Sequence, residues 1–353
     1  MASGESHGDR WENALSERQA LVLRATVMAY VGAAAPIGSK TVSHVLPIHL
    51  SSASIRATLA ELAELGLVEK PHASAGRVPS ELGLRLFVDE LLDRDPLALY
   101  EKRVISWGVD EAEVDRVASV ASQLLSQLTR QLGFVVAPRI DRVVLCHVSL
   151  VRLASDQLLV VLVSQTGEAH RRVIEDPGNG DQATLDSIAA TLNERIAGLT
   201  LVEARERVAR DARALRHRAD AWLERVLELG ARAVAPGDDG PVDLVLGTRL
   251  ALLEQPEFQD PDRIRELFAA VETKERLVEV LDQMLEAGGT RVAFGDEVDE
   301  PALHRCAVVA SSYGVGDSAI GSLGVIGPSR MDYGRVIALV EYLSQVMTER
   351  LRA

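Results

Sequence analysis

Cysteine is nearly absent from this chain. Cys146 and Cys306 are the only two; they stand far apart and form no CxxC pair, so neither a disulfide framework nor a structural zinc site is expected, and a reducing cytoplasm fits best. Long apolar runs are missing too: the longest, such as Leu158 to Val163, are far too short to span a bilayer. The opening MASGESHGDRWENALSER is polar and of mixed charge, unlike a secretory signal, and residues 1–15 are expected to be a flexible N-terminus. No internal repeat or low-complexity tract is apparent. Positive charge is not in excess either. The formal net charge of −14 argues against a protein that coats nucleic acid through sheer basicity, but allows a small, locally basic reading module on an acidic body. The composition is globular, 47% hydrophobic and 25% charged, and 353 residues predict two or three domains.

The informative stretch runs from Ser51 to Ser80, SSASIRATLAELAELGLVEKPHASAGRVPS. Upstream, Ser16 caps a helix whose Leu21, Ala25, Met28 and Ala29 lie on one face and which Ala34, Ala35 and Pro36 end. Ser39 is expected to cap a second, short helix that stops before Pro47. Ser51 or Ser52 caps a third, with Ile55, Leu59 and Leu62 facing inward and Gly66 at its end. LVEK and RVPS read as short strands joined by the loop Pro71 to Gly76, and Ser80 opens a further helix. Three short helices followed by a hairpin is the order of a winged helix-turn-helix, in which the third helix enters a major groove and the hairpin lies along the adjacent backbone. Between Ser39 and Arg85 the bases Lys40, Arg56, Lys70, Arg77 and Arg85 stand against Glu61, Glu64, Glu69 and Glu81. That segment is near neutral on an otherwise strongly negative chain.

Beyond Asp95 the texture changes. A long amphipathic helix is expected over DEAEVDRVASVASQLLSQLTRQLG, followed by strands in RVVLCHVSLVRL, QLLVVLVSQTG and HRRVIE. The chain then reads as entirely helical from Asp181 to Val234 until PGDDGP breaks it. A strand at VDLVLG, helix around RIRELFAAVETKERLVEVLDQML, strands at RVAFG, CAVVASSYG and SLGVIG, and a last helix from Asp332 follow. Strands on both sides of a helical block predict one α+β domain interrupted by an insertion.

LSERQALVLRATVMAYV, APIGSKTVS, the stretch around PHASAGRVP, LLEQPEF and GSLGVIGPSRMDYGRVIALVEYLS resemble, in order, the blocks of the HrcA-type heat-inducible transcription repressors, over nearly the whole chain. The resemblance implies an α+β protein: a winged-helix DNA-binding domain over 16–95, a GAF-like α+β domain over 96–180 and 241–353, and a helical inserted dimerising segment over 181–240. It also implies a homodimer on a double-stranded inverted-repeat operator, CIRCE, ahead of chaperone genes, with a chaperonin of the GroEL type as modulator. It implies no enzyme activity, no cofactor and no metal. Family members usually carry SPATIRN where this chain has SSASIRA, so Ala57 replaces an Asn. Ala73 replaces a Thr, and Leu82 and Leu84 stand where Lys and Tyr are common. Asn bonds bidentately to adenine, whereas Ala offers only a methyl, so operator identity is the property put in question.

The candidate DNA-contacting residues are Ser39, Lys40 and Thr41 at the second helix, Ser52, Ser54, Arg56, Ala57 and Thr58 on the third, and Lys70, His72, Ser74 and Arg77 in the hairpin. Arg56 suits either a phosphate or a guanine edge; hydroxyls serve caps or phosphates. Small residues at the hairpin tip let backbone approach DNA closely. Other signals read as structure. The glycines of SSYGVGDSAIGSLGVIG lack a phosphate-loop spacing and read as strand turns. Cys146 and His147 are neighbours in a strand pattern, where alternate side chains point to opposite faces. The apolar stripe of the helical block suits core or dimer seam, and the resemblance favours the seam. The rival from another class is a regulator whose GAF-like domain binds a small effector.

Overall fold

The computed structural model describes residues 15–72, 75–93, 96–113, 116–137, 144–165, 169–176, 180–215, 221–235, 244–248, 250–253, 255–272, 274–285, 288–298, 303–315 and 318–352. Residues 1–14, with the expected N-terminal tail, lie outside them. The chain is mixed α and β and divides into two compact units. One comprises Met1–Val135, Leu244–Ser312 and Leu323–Val346; the other comprises Val136–Asp243, Tyr313–Ser322 and Met347–Ala353. Among the described residues no helix is long and apolar enough to cross a membrane.

The first unit opens with three helices, α1 (Glu17–Ala33), α2 (Ser39–Val45) and α3 (Ser52–Glu64). Ser16 and Gln19 form a reciprocal capping box at the start of α1, which satisfies two otherwise orphaned amides. The expected inward face holds at Ala25 and Ala29 but not at Met28, which is 51% exposed; Val22, Leu23 and Val27 are buried instead. α1 packs on both α2 and α3, so the helix is wrapped over a wider arc than one stripe. Gly38, not Ser39, is the cap of α2, and Ser39 is its first helical residue. The short strands β1 (Val68–Glu69) and β2 (Val78–Pro79) pair antiparallel, Val68 opposite Pro79 and Glu69 opposite Val78. Ser80 caps α4 (Glu81–Leu86), which continues as a π-helical turn over Phe87–Leu91. Leu84 is buried while Leu82 is exposed.

Next come α5 (Leu99–Asp110) and α6 (Val117–Thr129). The long helix expected here is therefore shorter, and its C-terminal end is the strand β3 (Leu132–Val136), buried at every position. Continuous burial removes the alternation by which a strand is recognised. β3 joins β7 (Leu244–Leu246), β8 (Thr290–Phe294), β9 (Cys306–Val315) and β10 (Ser318–Pro328) in a five-stranded sheet of order β7-β3-β10-β9-β8. Helix α10 (Leu250–Leu253) is a short addition not expected from the sequence, whereas α11 (Pro261–Glu272), α12 (Lys274–Leu285) and α13 (Tyr333–Arg352) follow the expected C-terminal pattern.

In the second unit, β4 (Leu145–Ala154), β5 (Gln157–Ser164) and β6 (Ala169–Glu175) form an antiparallel meander. The helical block resolves into α7 (Gln182–Ile196), α8 (Leu201–Leu215) and α9 (Ala221–Ala233). Strands and helices share one core: Val148, Leu150, Leu158 and Val160 pack with Leu185, Leu192, Val208 and Val226. The apolar stripes of the helices thus meet a sheet. The alternation expected at Cys146 and His147 is interrupted by a bulge between Leu145 and His147, and both residues are exposed. Asp176 is fully buried between Arg152, 2.8 Å away, and Arg225, so this charge is paired on both oxygens.

Candidate nucleic-acid interface

Helix α3 divides cleanly. Ile55, Leu59 and Leu62 are buried, each burial worth about 1.5–3 kcal/mol. Ser51 is the cap, its hydroxyl accepting the Ser54 amide at 3.1 Å, a contact typically worth about 1 kcal/mol. Ser52, Ala53, Arg56, Ala57 and Ala60 are exposed, at the spacings that line one side of a helix. Arg56 donates from Nε to the Ser52 carbonyl at 3.2 Å, which holds the guanidinium back over the first turn. Ser54 is half-buried and engaged with Ser51 at 3.0 Å. Thr58 does not join this face. It is buried, and its hydroxyl donates to the Ser54 carbonyl at 3.1 Å, so contact with DNA is corrected to an inward packing role.

On α2, Lys40 and Thr41 are exposed and Ser39 is half-buried. The Lys40 carbonyl accepts the Ser43 hydroxyl and meets His44 Nδ1, both at 2.7 Å, which tightens this short helix. In the hairpin Lys70 and His72 are exposed, and Arg77 is half-buried. Ser74 and its neighbour Ala73 lie outside the described residues.

The hairpin is fastened to the turn between α1 and α2 by backbone. Ile37 N–H donates to the Arg77 carbonyl at 2.7 Å, and Arg77 N–H donates to the Ile37 carbonyl at 2.8 Å. A Cβ at Gly76 would lie 2.5 Å from the Ile37 carbonyl oxygen. The glycine thus serves this close backbone approach, a reason different from the access to DNA that its position in the tip suggests. On the other side Ser80 holds the end of α3: its hydroxyl donates to the Gly66 carbonyl at 2.6 Å and accepts the Gly83 amide at 3.0 Å. The exposed α3 face, the start of α2 and the hairpin with Lys70 just after β1 are therefore carried by one braced frame.

One acidic side chain of this frame is drawn toward α1. Glu61 is bound on the α1 side by Arg18 at 3.2 Å and Gln19 at 3.0 Å. The pair is largely exposed and contributes little stability, but it takes Glu61 away from the Arg56 side. Sequence patterning had no signal for this pair beyond the capping box that places Gln19. Among the described residues no group of three His, Cys, Asp or Glu could hold a metal ion.

Residues 115–337 match the family described as HrcA protein C terminal domain. Across the whole chain, a heat-inducible transcription repressor HrcA from Nitratidesulfovibrio vulgaris is 36% identical over 344 residues, 96% of each protein. This chain belongs to the HrcA family of heat-inducible transcription repressors. The HrcA of Geobacter sulfurreducens is 34% identical over 339 residues, covering 96% of this chain and 98% of its own. A crystal structure described as that of a hypothetical protein at 2.2 Å resolution aligns over 96% of this chain and 99% of its own, with 22% identity and a TM-score of 0.58. That likeness speaks for the fold alone. The HrcA match at 115–337 begins after the three-helix and hairpin block, whose kinship is carried by the full-length relatives. HrcA proteins are transcription repressors, which are not an enzyme class.

Proposed function

We propose that this protein is a cytoplasmic, nucleoid-associated HrcA that represses heat-shock and chaperone genes by binding an inverted-repeat operator of the CIRCE type as a homodimer. The observation that carries the reading is the exposed side of α3, with Ser52, Arg56 and Ala57, beside a hairpin that presents Lys70 and His72 and is fastened by backbone to the α1–α2 turn and by Ser80 to the end of α3. In this reading residues 16–95 are a winged helix. Two symmetry-related α3 helices enter successive major grooves, about one helical turn or a multiple apart. Lys40 and Thr41, with Lys70, His72, Ser74 and Arg77, are assigned to phosphate contacts, which position without specifying. The five-stranded sheet and its helices form the GAF-like body. The core common to β4–β6 and α7–α9 supports extending the dimerising insertion, expected over 181–240, back to near residue 136. Repression follows from steric exclusion of polymerase. Heat relieves it because a modest loss of stability changes the folded fraction several-fold, and a chaperonin restores the active form.

The test is selection of duplexes from a random pool by the full-length protein, followed by titration at several salt concentrations and temperatures. The expected result is an inverted repeat, bound with a steep log-log salt dependence and released on heating in step with loss of the dimer. Selection of no sequence would overturn the reading.

A further inference from the structure

Two stretches of the chain, LLEQPEF and GSLGVIGPSRMDY, lie outside the DNA-facing block. They meet at Arg330. Its side chain is only 12% exposed and all three nitrogens of its guanidinium donate hydrogen bonds. Nε and Nη2 donate to the two carboxylate oxygens of Glu257, and Nη2 also reaches Gln255 Oε1 at 3.0 Å. Nη1 donates to the Val31 carbonyl at 3.2 Å, a contact spanning 299 positions.

Val31 lies in the last turn of α1, which carries no basic residue of its own. The last carbonyls of a helix lack intrahelical donors and form the negative end of its dipole, so a cation is favourable there. Arg330 supplies it from the other end of the chain. Gln255 extends the contact by donating to the Arg130 carbonyl at 3.1 Å, where Arg130 closes α6 in a left-handed conformation. Tyr30, one residue before Val31, has its phenol proton held more tightly than usual, by burial first and then by the Glu257 charge.

A second grip acts on α4. Arg85 donates to the Val292 carbonyl and to Glu297 Oε1, both at 2.9 Å, and stacks 4.7 Å from the centre of the Phe294 ring. That ring lies 5.7 Å from Tyr333, whose hydroxyl donates to the carbonyl of Ser329, the residue before Arg330. One continuous set of contacts thus holds the three-helix block at α1 and at α4. The α1 grip lies six residues before Ile37, the backbone partner of Arg77 in the hairpin, and eight before the start of α2.

We infer that Arg330, through Glu257 and Gln255, is a positioning residue for operator recognition: it fixes the orientation of the reading block on the body, and so the separation of the two reading helices in the dimer. This rests on the DNA-binding reading above. A merely structural ion pair would lower thermal stability and leave geometric selectivity unchanged. A positioning role moves that selectivity, because two linked half-site contacts reinforce one another only where the linkage matches their spacing.

The experiment uses the full-length protein and two readouts. The first needs no DNA: spin labels at Met28→Cys and Arg265→Cys, both exposed, with the exposed thiol removed by Cys146→Ser. Arg330→Ala is expected to broaden the distance distribution, and Arg330→Lys to broaden it less. The second uses the inverted repeat selected by the wild type, with its spacer changed by one to three base pairs. The wild type is expected to lose about tenfold in affinity when the half-sites move out of phase, and Arg330→Ala about threefold or less, with the salt slope unchanged because no phosphate contact is lost. Arg330→Lys and Gln255→Ala serve if the alanine variant does not fold. An unbroadened distribution overturns the inference, and so does a broadened one with wild-type spacing penalties. Selection of no duplex by the wild type overturns the functional reading instead, a result recognisable because the distance measurement is independent of DNA.

Discussion

Ile37 and Arg77 exchange both of their backbone hydrogen bonds, at 2.7 and 2.8 Å. The pair closes the hairpin onto the α1–α2 turn, and the residue beside it has no room for a side chain. Gly76→Ala would place a Cβ 2.5 Å from the Ile37 carbonyl oxygen and 2.8 Å from its nitrogen. Backbone on both sides must part, with an expected loss of about 1–3 kcal/mol. Urea unfolding should show the lower midpoint, and DNA affinity should fall with it; an unchanged midpoint would contradict the packing described.

Lys70 is exposed on the hairpin. Lys70→Ala should weaken binding to all duplexes and reduce the log-log salt slope by about one unit, because one phosphate contact is lost. Titration from low to moderate salt measures it. A slope equal to the wild type would take this part of the hairpin out of the interface.

Ala57 lies on the exposed side of α3, next to Arg56. Ala57→Asn should sharpen the preference for adenine at one step of each half-site by about 1–3 kcal/mol, with the salt slope unaltered. Binding to all four bases at each position, at fixed salt, is the measurement. Identical profiles for the two proteins would shift base reading to Arg56 and Ser54.

Asp176 is fully buried between Arg152 and Arg225. Asp176→Ala removes the carboxylate that Arg152 and Arg225 share, while Arg225 keeps Glu228 at 3.0 Å, which should cost the second unit about 1–3 kcal/mol. Concentration-dependent thermal melts should show an earlier transition. A melt like that of the wild type would mean that solvent reaches both arginines readily.

Burial holds the Tyr333 phenol proton well above the ordinary range. The folded state keeps the neutral form where the unfolded chain ionises, so the contribution is complete below pH about 10 and declines above it. Tyr333→Phe should lose the bond to the Ser329 carbonyl, about 0.5–1.5 kcal/mol, and flatten the alkaline fall in stability. Urea midpoints from pH 8 to 11 for both proteins test the sign.

Much of the reading block was legible in the order of residues alone. Ser16 and Ser51 announce helix starts, Ile55, Leu59 and Leu62 set the inner face of α3, and Gly66, with its positive φ of 74°, marks its end. These signals operate over three or four residues, so the local sequence contains both partners. The strands of the C-terminal half were legible for the same reason, through alternation and turn residues. β3 was not, because a strand buried on both faces carries no alternation.

Position in space decided the rest. Thr58 and Ala57 are neighbours in the same helix, yet one is buried and the other exposed, because α1 and α2 cover only one side of α3. Met28 keeps the helical spacing of a core residue and faces out, since what packs against a helix is not written in its own period. The apolar stripes of the helices α7–α9 suited core or dimer seam; much of them packs with the strands β4–β6 in one core. Arg330 and Val31 stand 299 positions apart. Hydrophobic burial is non-directional and sets which faces disappear, whereas the hydrogen bonds of a guanidinium need partners at fixed distances and angles, so only the folded chain brings those partners within reach.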